Sequence, residues 1–125
     1  MHALVVDDSR LERTLLATVL RGIGFEVAYA SRASEASELL AEPRHFDIMF
    51  VDLNMPEMTG IDLVRYVRAT HPGRELRIMM VTCENDLGTV AEALVAGADE
   101  YVMKPFTQDA ILQKLELLGL GARAQ

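Results

Sequence analysis

The sequence predicts an α/β fold: one doubly wound, five-stranded parallel sheet in the order 2-1-3-4-5, covered by five helices. Short apolar runs alternate with amphipathic segments five times along the chain. The connections between runs are too long for hairpins and suit parallel crossovers. The first, third and fourth runs are continuously apolar, as strands covered on both faces are. The second and fifth carry Glu26 and Glu100 and therefore belong at the edges.

Taken in order, Ala3–Val6 is the first strand and stops at Asp7, Asp8 and Ser9. Ser9 with Glu12 forms a capping-box signature, and Leu11, Leu15 and Val19 follow at helical spacing until Gly22 and Gly24 end the helix. Phe25–Ala30 is the second strand, and Ser31 or Ser34 opens a helix carrying Ala36, Leu39 and Leu40 that Pro43 closes. Ile48–Val51 is the third strand, with Asp52 where it leaves the core. Pro56 cannot continue a ladder, and Thr59, Gly60 and Asp62 read as the start of a helix, so Leu53–Met58 is a loop at the strand's carboxyl end. Ile61, Val64 and Val67 mark that third helix, which His71, Pro72 and Gly73 break.

Ile78–Val81 is the fourth strand and ends at Thr82. Asn85 or Asp86 caps a helix with Leu87, Val90, Ala91 and Leu94 on one face, and Gly97 terminates it. Glu100–Met103 is the fifth strand, ending at Lys104 and Pro105. Thr107 caps a last helix with Ile111, Leu115 and Leu118 inward, and Gly119–Gln125 is expected to fray. Met49, Met79, Met80 and Met103 read as core filler, and Met55 and Met58 as loop lining.

A chain of 125 residues fits a single domain spanning the whole length. An apolar fraction of 50% without long Pro, Ser or Gly tracts excludes disorder, and no apolar run approaches membrane-spanning length. The first strand starts almost at once, leaving no room for a cleavable leader, so a cytoplasmic protein without a membrane partner is expected. A formal charge of −7 and a pI near 4.9 disfavour nucleic acid as a partner, because phosphate contacts need Lys or Arg. Cys83 is the single cysteine, which excludes an internal disulfide and a thiolate metal cage, and His2, His45 and His71 show no close ligand spacing.

Parallel sheets bind ligands at the carboxyl ends of their strands. Asp7 and Asp8 follow strand one, Asp52 strand three, Thr82 strand four and Lys104 strand five, all on one edge of the sheet. Carboxylates gathered there repel one another and call for positive charge. Oxygen-only ligands suit a hard cation such as Mg²⁺, which takes one or two carboxylates plus a phosphate. Lys104 adds a second positive charge, a point-charge partner for a phosphoryl oxygen.

These residues, as a set covering nearly the whole chain, resemble the receiver domain of bacterial two-component response regulators, of the CheY-like chemotaxis type. The strand order is the one found in flavodoxin-like proteins and in a chemotaxis regulator. The resemblance implies that Asp52 is the phosphoacceptor and that Asp8, Asp52 and the carbonyl of Asn54 bind Mg²⁺ directly, with Asp7 acting through water. It further implies that Thr82 and Tyr101 are switch residues, that Lys104 pairs with the phosphate, and that Asn54 and Glu84 tune hydrolysis. The Lys104–Pro105 peptide matches one that is typically cis, and X-Pro is where cis is cheap. Cys83 departs from the usual small residue and reads as a packing residue, since no Lys or Arg lies beside it in sequence.

The expected chemistry is transfer of phosphoryl from a sensor histidine kinase, a phosphotransfer protein or a small acyl phosphate to Asp52. Output would be contact with a downstream protein through helix four, strand five and helix five. The chain is thus expected to be a monomeric stand-alone signalling phosphoacceptor that assists its own phosphorylation and dephosphorylation. The alternatives are a receiver fragment of a larger response regulator or hybrid kinase, and a phosphorylation-independent pseudo-receiver. A flavodoxin-like cofactor site is disfavoured because Asp7 and Asp8 would repel a phosphate, and a haloacid dehalogenase-type phosphatase because its nucleophile follows the first strand.

Overall fold

The computed structural model describes residues 1–71, 75–83 and 87–120. Strands and helices alternate: β1 (His2–Val6), α1 (Arg10–Ile23), β2 (Glu26–Ala30), α2 (Ala33–Ala41), β3 (Ile48–Asp52), α3 (Gly60–Thr70), β4 (Arg77–Thr82), α4 (Leu87–Ala96), β5 (Glu100–Met103) and α5 (Gln108–Leu117). The sheet order is β2-β1-β3-β4-β5, and every pairing is parallel. In register, Val6 lies beside Ala30 and Val51, and Asp52 beside Val81, so the carboxyl ends of the central strands form one edge.

The pleat divides the core in two. Leu4, Val6, Met49, Val51, Ile78 and Met80 pack on one face with Leu63, Val64 and Val67 of α3, Leu40 of α2 and Ala93 of α4. Ala3, Val5, Ile48, Phe50, Met79 and Val81 pack on the other with Leu16, Leu20 and Ile23 of α1 and Ile111 and Leu115 of α5. Burying each large side chain contributes roughly 1.5–3 kcal/mol. Sheet and helices are therefore one rigid support for the loops at the strand ends.

The helices depart from the sequence reading in informative places. In α1 the buried stripe is Leu16, Ala17, Leu20 and Ile23, while Leu11 and Leu15 are 69% and 53% exposed. The first turns of α1 carry their leucines outward, a placement that periodicity alone does not assign. Gly22 lies within α1, and Gly24, at φ 120°, is the residue that ends it, returning its N–H to Leu20 and Arg21.

Neither Ser31 nor Ser34 caps α2, whose N-cap is Arg32. Glu35 instead reaches back and accepts from the Ser31 hydroxyl and backbone N–H. In α4, Ala93 is buried and Val90 half-buried, whereas Ala91 and Leu94 are exposed. The expected caps Asn85 and Asp86 lie outside the described residues, as do Pro72 and Gly73. Leu120, expected in a frayed tail, is 6% exposed and packs against the α1 and α5 side of the core.

Candidate functional site

The carboxyl edge of the sheet gathers one lysine and a group of acids. Asp7 follows β1, and its N–H donates to the carbonyl of Ala30. Asp52 is the last residue of β3, and Lys104 follows β5, its N–H donating to the carbonyl of Thr82 at 2.8 Å. The ammonium of Lys104 donates to Asp52 Oδ1 at 3.0 Å, to Asp7 Oδ2 at 3.5 Å, and to Glu12 Oε2. Asp7 and Asp52 are 6% and 7% exposed. The peptide between Lys104 and Pro105 is cis.

Gly60 allows the chain to pass close under the site. A Cβ there would stand 2.3 Å from the carbonyl oxygen of Asp52 and 3.0 Å from Leu53 Cα, both backbone atoms that cannot yield. Its N–H also donates to the carbonyl of Leu53. The loop between β3 and α3 is thus folded back against the strand end, and Thr59 then caps α3 by accepting from the N–H of Asp62.

The electrostatics follow from burial. Loss of water pushes the Asp7 carboxyl up to about 6, the Asp52 charge adds to the rise, and the Ser9 N–H and Lys104 oppose it. Asp52 is also raised, chiefly by burial, against the pull of Lys104. Glu12 is lowered, first by its hydrogen bond from Lys104. Burial works against the Lys104 ammonium, but bonds to Glu12 and Asp52 together with the acidic charges hold its pKa above the ordinary lysine value. One half-buried cation therefore serves several acids that would otherwise be costly to keep charged.

Asp7, Glu12 and Asp52 each place a carboxylate oxygen within 4.8 Å of the others, a spacing one small cation can bridge. The donors are all carboxylate oxygens, which fits a hard divalent cation. Asp8 lies outside this group and is exposed, though its charge contributes to the rise at Asp52. Asn54 is exposed in the loop after β3. Thr82 is 4% exposed at the end of β4. With Tyr101 of β5 it lines a void of about 10 Å³, shared with Leu53, Met80, Thr89, Val90 and Ala93. Tyr101 is half-buried, and the Lys114 ammonium sits 4.5 Å from its ring centroid. Glu84 lies outside the described residues.

Glu12 is the site residue that sequence reasoning missed, because its spacing from Ser9 assigned it to a capping box. Half of that box forms: the Ser9 hydroxyl accepts from the N–H of Glu12. The reciprocal bond does not, since the Ser9 N–H donates to Asp7 Oδ1 at 2.9 Å. The Glu12 carboxylate turns to Lys104 instead. Beside it, Leu15, Val19, Cys83, Pro105 and Phe106 line an open pocket next to the lysine.

Residues 3–116 match the response regulator receiver domain family. The chain is 40% identical to the chemotaxis protein CheY1 of Helicobacter pylori over 119 residues, covering 94% of this chain and 96% of that protein. It is also 40% identical to the chemotaxis protein CheY of Pseudomonas aeruginosa over 117 residues, 93% of this chain and 94% of that one. Among solved structures it is similar to the chemotaxis protein CheY4 of Vibrio cholerae, with a TM-score of 0.83 at 33% identity, covering 93% of this chain and 96% of that chain. The family's role is that of a phosphoacceptor in signalling, and an acid edge closed by a single lysine is suited to it. The chain belongs to the response regulator receiver domain family.

Proposed function

We propose that Asp52 accepts a phosphoryl group from a sensor histidine kinase or phosphotransfer protein and that the chain signals by phosphorylation-dependent protein contact, in the manner of a chemotaxis regulator. The observation that carries this is the Lys104 ammonium held 3.0 Å from Asp52 Oδ1 inside a ring of acids. A structural ion pair needs one acid; here the same cation faces Asp52, Asp7 and Glu12.

An Asp52 carboxylate oxygen attacks phosphorus, forming an O–P bond, while the N–P bond of a phosphohistidine or the O–P bond of an acyl phosphate breaks and the leaving group departs with the electron pair. Lys104 donates to a phosphoryl oxygen and offsets its charge. Mg²⁺ would be held by Asp8, Asp52 and the carbonyl of Asn54, with Asp7 acting through water, and would neutralise further charge on the phosphoryl group. The chain then assists its own phosphorylation and dephosphorylation without being an enzyme in the ordinary sense, and Asn54 and Glu84 tune the lifetime.

Thr82 is the sensor of the phosphoryl group and Tyr101 the side chain that responds. Both side chains line one small void, so a movement of Thr82 changes the space open to Tyr101. The responding surface is α4, β5 and α5, where Leu94, Val95 and Leu117 are 42%, 88% and 72% exposed, apolar area for a downstream protein. Leu15 of α1 lines the mouth near Lys104, and it and the exposed Leu11 of the same helix suit contact with the phosphodonor. No helix among the described residues is long and apolar enough to cross a membrane.

Acetyl phosphate with Mg²⁺, followed by intact mass, tests the reading. One phosphoryl adduct on the wild-type chain and none on Asp52→Asn is expected. An unmodified wild type would instead favour a pseudo-receiver.

A further inference from the structure

Of the acids around Lys104, Glu12 is the one built to leave. Asp7 and Asp52 are buried, fixed at strand ends, and their side chains are 8% and 9% exposed; that of Glu12 is 40% exposed, on the first turn of α1. The cap of α1 does not need its carboxylate. Ser9 accepts from the Glu12 backbone N–H, and the Ser9 N–H is already taken by Asp7. The Lys104 ammonium has three N–H groups, and among the described residues its side-chain acceptors are Asp7, Glu12 and Asp52. A phosphoryl oxygen arriving on Asp52 therefore competes with these acceptors for the N–H groups of the lysine.

We propose that Glu12 is a positioning residue that holds Lys104 in the unphosphorylated chain and releases it to the phosphoryl group, acting as a brake on phosphorylation. The inference rests on the phosphoacceptor reading of Asp52. In the transfer from acetyl phosphate, the bond between Asp52 and phosphorus forms, the bond from phosphorus to the acetate oxygen breaks, and acetate leaves with the electron pair. The lysine proton stays on Lys104 throughout and exchanges one acceptor, a Glu12 oxygen, for another, a phosphoryl oxygen. Releasing a half-exposed carboxylate from an ammonium is a modest penalty, corresponding to roughly a fivefold effect on rate or affinity.

Two readouts test this with Mg²⁺ present: the second-order rate constant for phosphorylation by acetyl phosphate, followed by intact mass, and the Kd for beryllofluoride, a phosphoryl mimic, by calorimetry. Glu12→Gln is expected to raise the first and lower the second by about fivefold, and to do neither in a Lys104→Met background. Unchanged values in Glu12→Gln, or a gain of equal size without Lys104, would overturn the brake while leaving the phosphoacceptor reading intact. A wild-type chain that takes up no phosphoryl group would remove that reading and the brake together.

Discussion

Replacing Asp7 by Asn is expected to make the cation-free protein more stable at neutral pH, although it removes a residue of the site. The Asn side chain has the shape of the neutral acid, and its oxygen can keep the bond from the Ser9 N–H at 2.9 Å. The wild-type carboxyl rises from 3.8 to about 6 on folding, mainly because it loses water. At about 1.36 kcal/mol per tenfold in affinity for the proton, that rise costs the charged form ~3 kcal/mol at pH 7. The sign is fixed by the direction of the shift. A folded pKa above the unfolded one contributes stability that is fully present below pH 3.8 and is lost as pH rises through about 6. The stability gap between Asp7→Asn and wild type should therefore be near zero at acid pH, open through that window, and reach ~2–3 kcal/mol by pH 7, about 5–12 °C in Tm for a chain of this length. Urea unfolding in EDTA, repeated across the pH range, measures it. A variant no more stable than wild type at pH 7, or a gap independent of pH, would refute the claim that Asp7 is held charged against its burial.

Gly60→Ala drives a Cβ to 2.3 Å from the Asp52 carbonyl oxygen and should destabilise the fold by roughly 2–3 kcal/mol while slowing phosphorylation, both read from urea unfolding and phosphoryl uptake. Arg68 donates to the carbonyls of Gly97 and Leu76 and to Asp99 Oδ2, tying α3 to the segments flanking β4 and β5; Arg68→Ala should cost about 2–3 kcal/mol by chemical denaturation yet leave phosphorylation intact, since these bonds lie away from the acid edge. Thr82→Val keeps the shape of the side chain but not its hydroxyl. Phosphorylation should survive, and the phosphorylation-induced change in amide exchange across α4, β5 and α5 should disappear.

The sheet was legible because its signal is local and repeated: Ala3–Val6, Ile48–Val51 and Ile78–Val81 have no polar residue to place outward, and Glu26 and Glu100 mark the edges. Strand order then brings Asp7, Asp52 and Lys104 to one edge without further information. What escaped was decided by competition between local and distant partners. Glu12 had a local partner in Ser9, but the Ser9 N–H goes to Asp7 and the carboxylate to Lys104, 92 residues away. Leu11 and Leu15 have helical spacing, yet the sheet is met only from Leu16 onward. Gly60 reads in sequence as the start of a helix, and only the fold shows the strand carbonyl pressing on it. Arg68 and Asp99 carry no motif linking them across 31 residues.

The site of covalent attachment tests the central claim most directly. Borohydride reduces an aspartyl phosphate to homoserine, so the chain phosphorylated with acetyl phosphate and Mg²⁺ is reduced, digested and sequenced by mass spectrometry. Homoserine at position 52, and at no other aspartate, is the expected result. Homoserine at position 7 or 8, or a phosphorylated chain that borohydride leaves unchanged, would contradict Asp52 as the nucleophile.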